Sequence, residues 1–131
     1  MYQTTEYGVQ FSNHSKGLSM RLKVEYEGGY YKCFLLNQRG TPIAYLSCIP
    51  ENGAFELCDI EVREGYRGCG YARRIIVATQ EHFGAPLTHT GSYTLLGLER
   101  VAKYFHTPTE LQALRATYRP MNFVDNWDNI V

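Results

Sequence analysis

The sequence predicts an α+β fold, an antiparallel meander of strands followed by a parallel strand-helix-strand unit. Three observations carry that prediction. Four strand-like apolar runs precede residue 63 and are separated by short turns rich in Gly, Asn and Pro. Residues 65–70 then place three glycines in six positions. From residue 71 the apolar side chains recur at steps of three and four, which is a helical period.

Residues 1–19 mix polar residues, Gly and Ser with scattered aromatics, and read as a loose lead-in with one short strand around residues 8–12. In residues 20–27, Met20, Leu22, Val24 and Tyr26 alternate with Arg21, Lys23, Glu25 and Glu27, the pattern of a half-buried strand. Gly28-Gly29 marks a turn, residues 30–37 form the second strand, and Gln38-Arg39-Gly40 closes a hairpin. Residues 42–49 are the third strand, 50–53 a turn and 54–62 the fourth strand. Every connection is too short for a crossover, so these four strands are antiparallel.

After the glycines, Ala72, Ile75, Ile76, Thr79 and Phe83 line one face of a helix that ends near Gly84, placed as a C-terminal cap. Residues 85–90 are too few for a helix and centre a strand on Leu87-Thr88-His89. A right-handed crossover through the helix returns this strand parallel to the fourth. Leu95, Leu98, Val101, Ala102 and Phe105 predict a second helix over 93–105. Thr107-Pro108-Thr109-Glu110 is a capping box with Pro at the first helical position, opening a helix over 108–117. The tail has little periodicity, with an edge strand at 121–124. With no repeat or linker, one domain over 1–131 is expected.

A chain of 131 residues, 44% hydrophobic and 20% charged, can bury a real core and is not expected to be disordered. Thirteen basic residues balance thirteen acidic ones, which argues against a dedicated nucleic-acid or polyanion binder. Cys33, Cys48, Cys58 and Cys69 form no C-x-x-C pair and have no His at metal-ligand spacing, so no metal site is expected. Three of them lie in strand-like runs and read as buried free thiols. No signal peptide or membrane-length apolar run is visible, so the expectation is a soluble cytoplasmic protein with no membrane partner.

The most informative stretch is residues 58–74. A strand feeding a glycine-rich turn that opens a helix is a recipe for holding an anion. The first N–H groups of a helix have no internal acceptor and sit at the positive end of its dipole. Arg67, Arg73 and Arg74 add positive charge there. No lysine follows the turn as in a P-loop, and no G-x-G-x-x-G dinucleotide motif is present.

Arg67-Gly68-Cys69-Gly70-Tyr71-Ala72 fits the R/Q-x-x-G-x-G/A signature of the GNAT superfamily of acyl-CoA N-acyltransferases. Residues 56–62 resemble that superfamily's fourth strand, and the step of five from Val62 to Arg67 is similar to that of common members. The likeness spans residues 20–105 in element order. The Thr-Gly-Ser-Tyr-Thr stretch at 90–94 resembles small, trimmed bacterial and bacteriophage members. The resemblance implies a GNAT-like mixed sheet with a V-shaped cofactor cleft, where the fourth strand and the next parallel strand part. It implies acetyl-CoA (coenzyme A) as cofactor, with its pantetheine arm along the backbone of Ile60 and Val62. The pyrophosphate would sit on the N–H groups of Gly68, Cys69, Gly70, Tyr71 and Ala72, with Arg67 nearby.

The implied reaction is direct attack of a primary amine on a thioester. Glu56, six residues before Val62, stands where some members carry the general base that takes the amine's proton. Asp59 and Glu61 are alternatives, on the opposite strand face unless a bulge re-aims them. Tyr104 stands where members commonly carry the proton donor for the departing thiolate, with Tyr93 as alternative; the Asn often found seven residues earlier is here Gly97. Cys69 reads as a backbone donor, and His89 as structural. Tyr26, Tyr30, Tyr31 and Tyr45 fit either an acceptor groove or the core. The chain departs from the family in lacking two N-terminal helices and two C-terminal strands, both on the acceptor side. The acceptor stays open, a small molecule or a protein amine. The trimmed end leaves a sheet edge where a homodimer could pair. The alternative is a degenerate member that binds CoA or a protein partner without turnover.

Overall fold

The computed structural model describes residues 3–9, 20–89 and 93–118. Its packing falls into two compact units, Met1–Thr88 and His89–Val131.

The first unit is a six-stranded mixed sheet with one helix. The strands are β1 (Gln3–Val9), β2 (Met20–Glu27), β3 (Tyr30–Leu36), β4 (Pro42–Glu51), β5 (Ala54–Val62) and β6 (Leu87–Thr88), and α1 (Tyr71–Phe83) lies between β5 and β6. They neighbour one another in chain order. The first four pairings are antiparallel and the last, β5 with β6, is parallel. The predicted meander and parallel return are both present.

Three boundaries differ from expectation. The lead-in strand is β1 itself, running from Gln3↔Tyr26 to Val9↔Met20, and not a short strand around 8–12; residues 10–12 lie outside the described residues. An edge strand needs no apolar alternation, so its Thr-rich sequence gave no period to find. β4 runs on through Pro50 to Glu51, and the turn shrinks to Asn52-Gly53 with φ of 51° and 79°. Two positive φ values make the two-residue turn whose twist suits a hairpin, and Asn-Gly is the pair that tolerates them. The expected strand at 121–124 lies outside the described residues.

The pairing registers put Leu22, Val24, Cys33, Leu35, Leu46, Cys48 and Leu57 on one sheet face, and all are buried. α1 packs on strands β2 to β5 and buries Ile75, Ile76, Ala78 and Thr79. At its C-terminal end Phe83 stacks on Phe55 at 4.2 Å between ring centroids and meets Tyr31 edge-on at 4.8 Å. Tyr26 joins this cluster through Tyr31, while Tyr45 is buried on the opposite face beside Phe34. Cys33 and Cys48 are buried thiols as expected, but Cys58 is only half-buried.

The second unit contains α2 (Leu95–Arg100), a 3-10 turn at Ala102–Tyr104 and α3 (Pro108–Thr117). The continuous helix expected over 93–105 is therefore broken. Val101 has φ −114°, outside the helical range, and the next bonds, Tyr104 N–H to Val101 O and Phe105 N–H to Ala102 O, are of the tighter i→i+3 kind. Gly97 inside so short a helix favours its early end. The capping box at Thr107 is complete: Glu110 N–H donates to Thr107 Oγ1 at 3.2 Å and Thr107 N–H to Glu110 Oε1 at 2.7 Å. Leu98, Ala102 and Leu111 form this unit's core, with Tyr93, Leu114 and Tyr118 against it.

Candidate functional site: the parting of β5 from β6 and the N-terminus of α1

β6 pairs with β5 at only two positions, Phe55↔Leu87 and Glu56↔Thr88. Past Glu56, no described strand pairs with this side of β5. The backbone facing that side follows from the pairing on the other. Arg63 N–H donates to Ile43 O at 2.9 Å, towards β4. In an antiparallel pair every second residue directs both its polar groups to the partner. Glu61, opposite Tyr45, therefore faces β4, while Ile60 and Val62 direct N–H and C=O away from it.

The register of β4 on β5 shifts between Ser47 and Cys48. Leu57 opposes Cys48 and Asp59 opposes Ser47, which leaves Cys58 as the extra residue of a bulge. Its bulged position is why Cys58 is less buried than the other strand cysteines. The bulge also changes the parity of the strand. Glu56, Asp59 and Glu61 oppose Ile49, Ser47 and Tyr45, so the three carboxylates share one face. The condition attached to Asp59 and Glu61 in the sequence is met.

Glu56 is half-buried at the last paired position, where the two strands part. Its Oε2 accepts a hydrogen bond from Thr88 Oγ1 at 3.0 Å. Sequence reasoning missed Thr88, because the contact depends on the register of a two-residue strand. Asp59 is exposed and Glu61 half-buried. Burial raises the Tyr45 pKa, a hydrogen bond with Ser47 opposes that, and the Asp59 carboxylate adds to it. Burial likewise pushes the Cys58 thiol up, helped by Asp59, Cys48 and Glu56.

α1 begins at Gly70, which has φ 84° and ψ 10°, no side-chain cap and no acidic residue in the turn that follows. The first bond along the helix is Arg74 N–H to Gly70 O at 3.1 Å. The N–H groups of Tyr71, Ala72 and Arg73 thus lie at the positive end with no acceptor inside the helix. A Cβ at Gly70 would meet nothing within 4 Å, so glycine is required there for its φ and not for space. Arg67 donates from Nε to Val62 O at 2.7 Å. Arg74 lies over the Tyr71 ring, 5.2 Å from its centroid. Cys69 is exposed, and among the described residues no group of three His, Cys, Asp or Glu could hold a metal ion.

Glu56, Ile60, Val62 and residues 67–72 all belong to the first unit, and Tyr104, Tyr93 and His89 to the second. Tyr104 sits on the 3-10 turn and not on a helix, exposed, with Lys103 Nζ 5.3 Å from its ring centroid. Tyr93 is half-buried; its hydroxyl is 2.9 Å from His106 Nε2 and its ring 4.5 Å from that of His89.

The family model of the acetyltransferase (GNAT) family matches residues 4–86, more than half of the chain. The chain belongs to the GNAT family. The match takes in β2 to β5, the glycine turn and all of α1, and so includes every cofactor residue expected of a GNAT protein. Among solved structures, the chain is similar to one titled "Putative acetyl transferase from Pyrococcus furiosus", at 15% identity and a TM-score of 0.42. That alignment covers 75% of this chain and 64% of the other, so the chain spans about two-thirds of that structure's length. No curated protein matches the chain in sequence. Among the described residues of this GNAT protein, no helix is long and apolar enough to cross a membrane.

Proposed function

We propose that the protein is an N-acetyltransferase that moves an acetyl group from acetyl-CoA to a primary amine of a small molecule or protein. The observation that carries this reading is the parting of β5 from β6 at Glu56, in the same unit as an α1 N-terminus with neither a side-chain cap nor an acidic first turn. These residues suit the donor: an outward strand edge for an amide-bearing arm, and a cluster of N–H groups for a pyrophosphate.

When bound, acetyl-CoA supplies the thioester whose carbonyl carbon the amine attacks, with cleavage of the carbon–sulfur bond. The protein's own residues do the rest. The N–H groups of Gly68, Cys69, Gly70, Tyr71 and Ala72, with Arg67, hold the phosphates. Ile60 and Val62 offer alternating N–H and C=O groups to the arm and fix its register. Glu56 takes the proton that a protonated amine must lose before it can attack, and the Thr88 hydroxyl holds that carboxylate in place. By the family resemblance alone, Tyr104, with Tyr93 as alternative, is the residue proposed to supply a proton to the leaving group. Asp59 and Glu61, turned onto the same strand face as Glu56 by the bulge, attract a cationic acceptor. We place the protein in the cytoplasm, where this acyl donor is made and used.

Calorimetry with acetyl-CoA, followed by loss of thioester absorbance across a panel of polyamines, lysine peptides and amino sugars, tests the reading. Absorbance is preferable to a thiol reagent because Cys69 is exposed. Saturable binding with amine-dependent thioester loss is expected. Absence of binding would overturn it, and binding without turnover would reduce the protein to a CoA-holding module.

A further inference from the structure

Thr88 is the last residue of β6 and stands opposite Glu56, at the final pairing before β5 and β6 part. Its hydroxyl carries one proton and has two acceptors on β5. One is Glu56 Oε2 at 3.0 Å, a carboxylate oxygen. The other is the Phe55 carbonyl oxygen at 3.4 Å, a neutral one. The Phe55 backbone faces β6, since its N–H donates to Pro86 O at 3.0 Å. The hydroxyl thus sits between a side chain whose charge the proposed reaction changes and a main-chain oxygen whose charge stays fixed. On the reading of Glu56 as the base, we infer that Thr88 is a positioning residue that works as a two-position latch. It holds Glu56 while the carboxylate is ionised, and it turns to the Phe55 carbonyl once Glu56 has taken the amine's proton.

The switch follows from the strengths of the two bonds. A hydroxyl bonds a carboxylate at shorter range and more strongly than it bonds a neutral carbonyl, and the two distances keep that order. When the amine's N–H bond breaks and the proton ends on Glu56, the carboxyl becomes neutral and the charge assistance is gone. The Thr88 proton then turns to Phe55 O, and Oγ1 can accept from the protonated carboxyl, since a hydroxyl both donates and accepts. Thr88 keeps its own proton throughout and has a partner in both states. Because the bond is stronger to the ionised form, the latch favours that form and resets the base when the proton passes to solvent. Glu56 has an interaction beyond Thr88 as well, so the variants that test the latch change the hydroxyl and leave Glu56 in place.

Thr88→Val removes the hydroxyl at nearly the same volume and suits a strand. With the panel amine that gives the fastest thioester loss, it should lower kcat/KM about 10-fold and leave the KM for acetyl-CoA unchanged. Thr88→Ser restores the hydroxyl and should stay within about 2-fold of wild type. In a Glu56→Gln background Thr88→Val should cost nothing further, because no charge is left to hold. The carbonyl carbon resonance of Phe55 reads the latch without any acceptor. It should move downfield in Glu56→Gln, a neutral mimic of the loaded base, and not when Thr88→Val is added. If Glu56→Gln leaves the rate unchanged, the base reading falls and the latch with it. If Glu56→Gln lowers the rate, three results would each overturn the latch while the base reading stands. These are full activity in Thr88→Val, a loss in Thr88→Ser equal to that in Thr88→Val, and a Thr88→Val loss that persists beside Glu56→Gln. Should Thr88→Val fail to fold, the Phe55 resonance in Glu56→Gln still decides, and an unmoved resonance there would contradict the latch.

Discussion

Glu56 is a carboxylate in a strand otherwise rich in apolar side chains, held by the Thr88 hydroxyl at the point where two strands part. Glu56→Gln keeps the size and an oxygen that can accept from Thr88, and removes the base. It should lower kcat/KM by about 10²- to 10⁴-fold with little change in melting temperature. A comparable fall in melting temperature would mean that the residue is structural. Thr79 is a second polar residue whose surroundings set its contribution. It is fully buried on α1, and among the described residues its Oγ1 has no hydrogen-bond partner. Thr79→Val should raise stability by about 1 kcal/mol, read from the urea midpoint. His82 gives a pH dependence. Burial lowers its pKa below the ordinary 6.5, so the unfolded chain binds the proton more readily. Its contribution is complete above about pH 6.5 and is lost as pH falls through that value towards the folded pKa. The melting temperature should drop over that range, and His82→Gln should flatten the drop. Glu56 was visible in the sequence as a carboxylate at a set distance from the glycine turn. Thr88 was not, because nothing local marks a partner 32 residues away.

The elements repeat that contrast between local and non-local signals. The capping box of α3 was legible because its two bonds join residues three apart. Thr107→Ala should cost about 1 kcal/mol, seen as lost helicity and a lower melting temperature. The C-terminal cap at Gly84 was legible for the same reason, and its N–H bonds Gln80 O at 2.8 Å. The break at Val101 was not legible, because apolar spacing of three and four fits an α-helix and a helix followed by a 3-10 turn alike. The bulge at Cys58 could enter only as a condition, since a bulge is a property of two strands and the sequence presents them one at a time. At the start of α1, Gly70→Ala puts a Cβ on a left-handed residue. It should cost about 1–2 kcal/mol in stability and also weaken acetyl-CoA binding by disturbing the first N–H groups of the helix.

At the scale of the molecule, each strand pairs with the next in the chain, so the order of the sheet is the order of the sequence. Short turns forced the meander, and the lone helix between β5 and β6 forced the parallel return. That local topology is why the fold was legible and the family match follows the same elements. The second unit, which holds Tyr104 and Tyr93, offered capping signals but no motif that fixes a role for either hydroxyl. On the proposed function, the outward edge of β5 and the N-terminus of α1 together seat acetyl-CoA. An NMR titration of backbone amides with acetyl-CoA tests it most directly. Saturable shifts are expected, largest at Ile60, Val62 and residues 68–72. Saturable shifts confined to residues 93–118, or none at all, would contradict it.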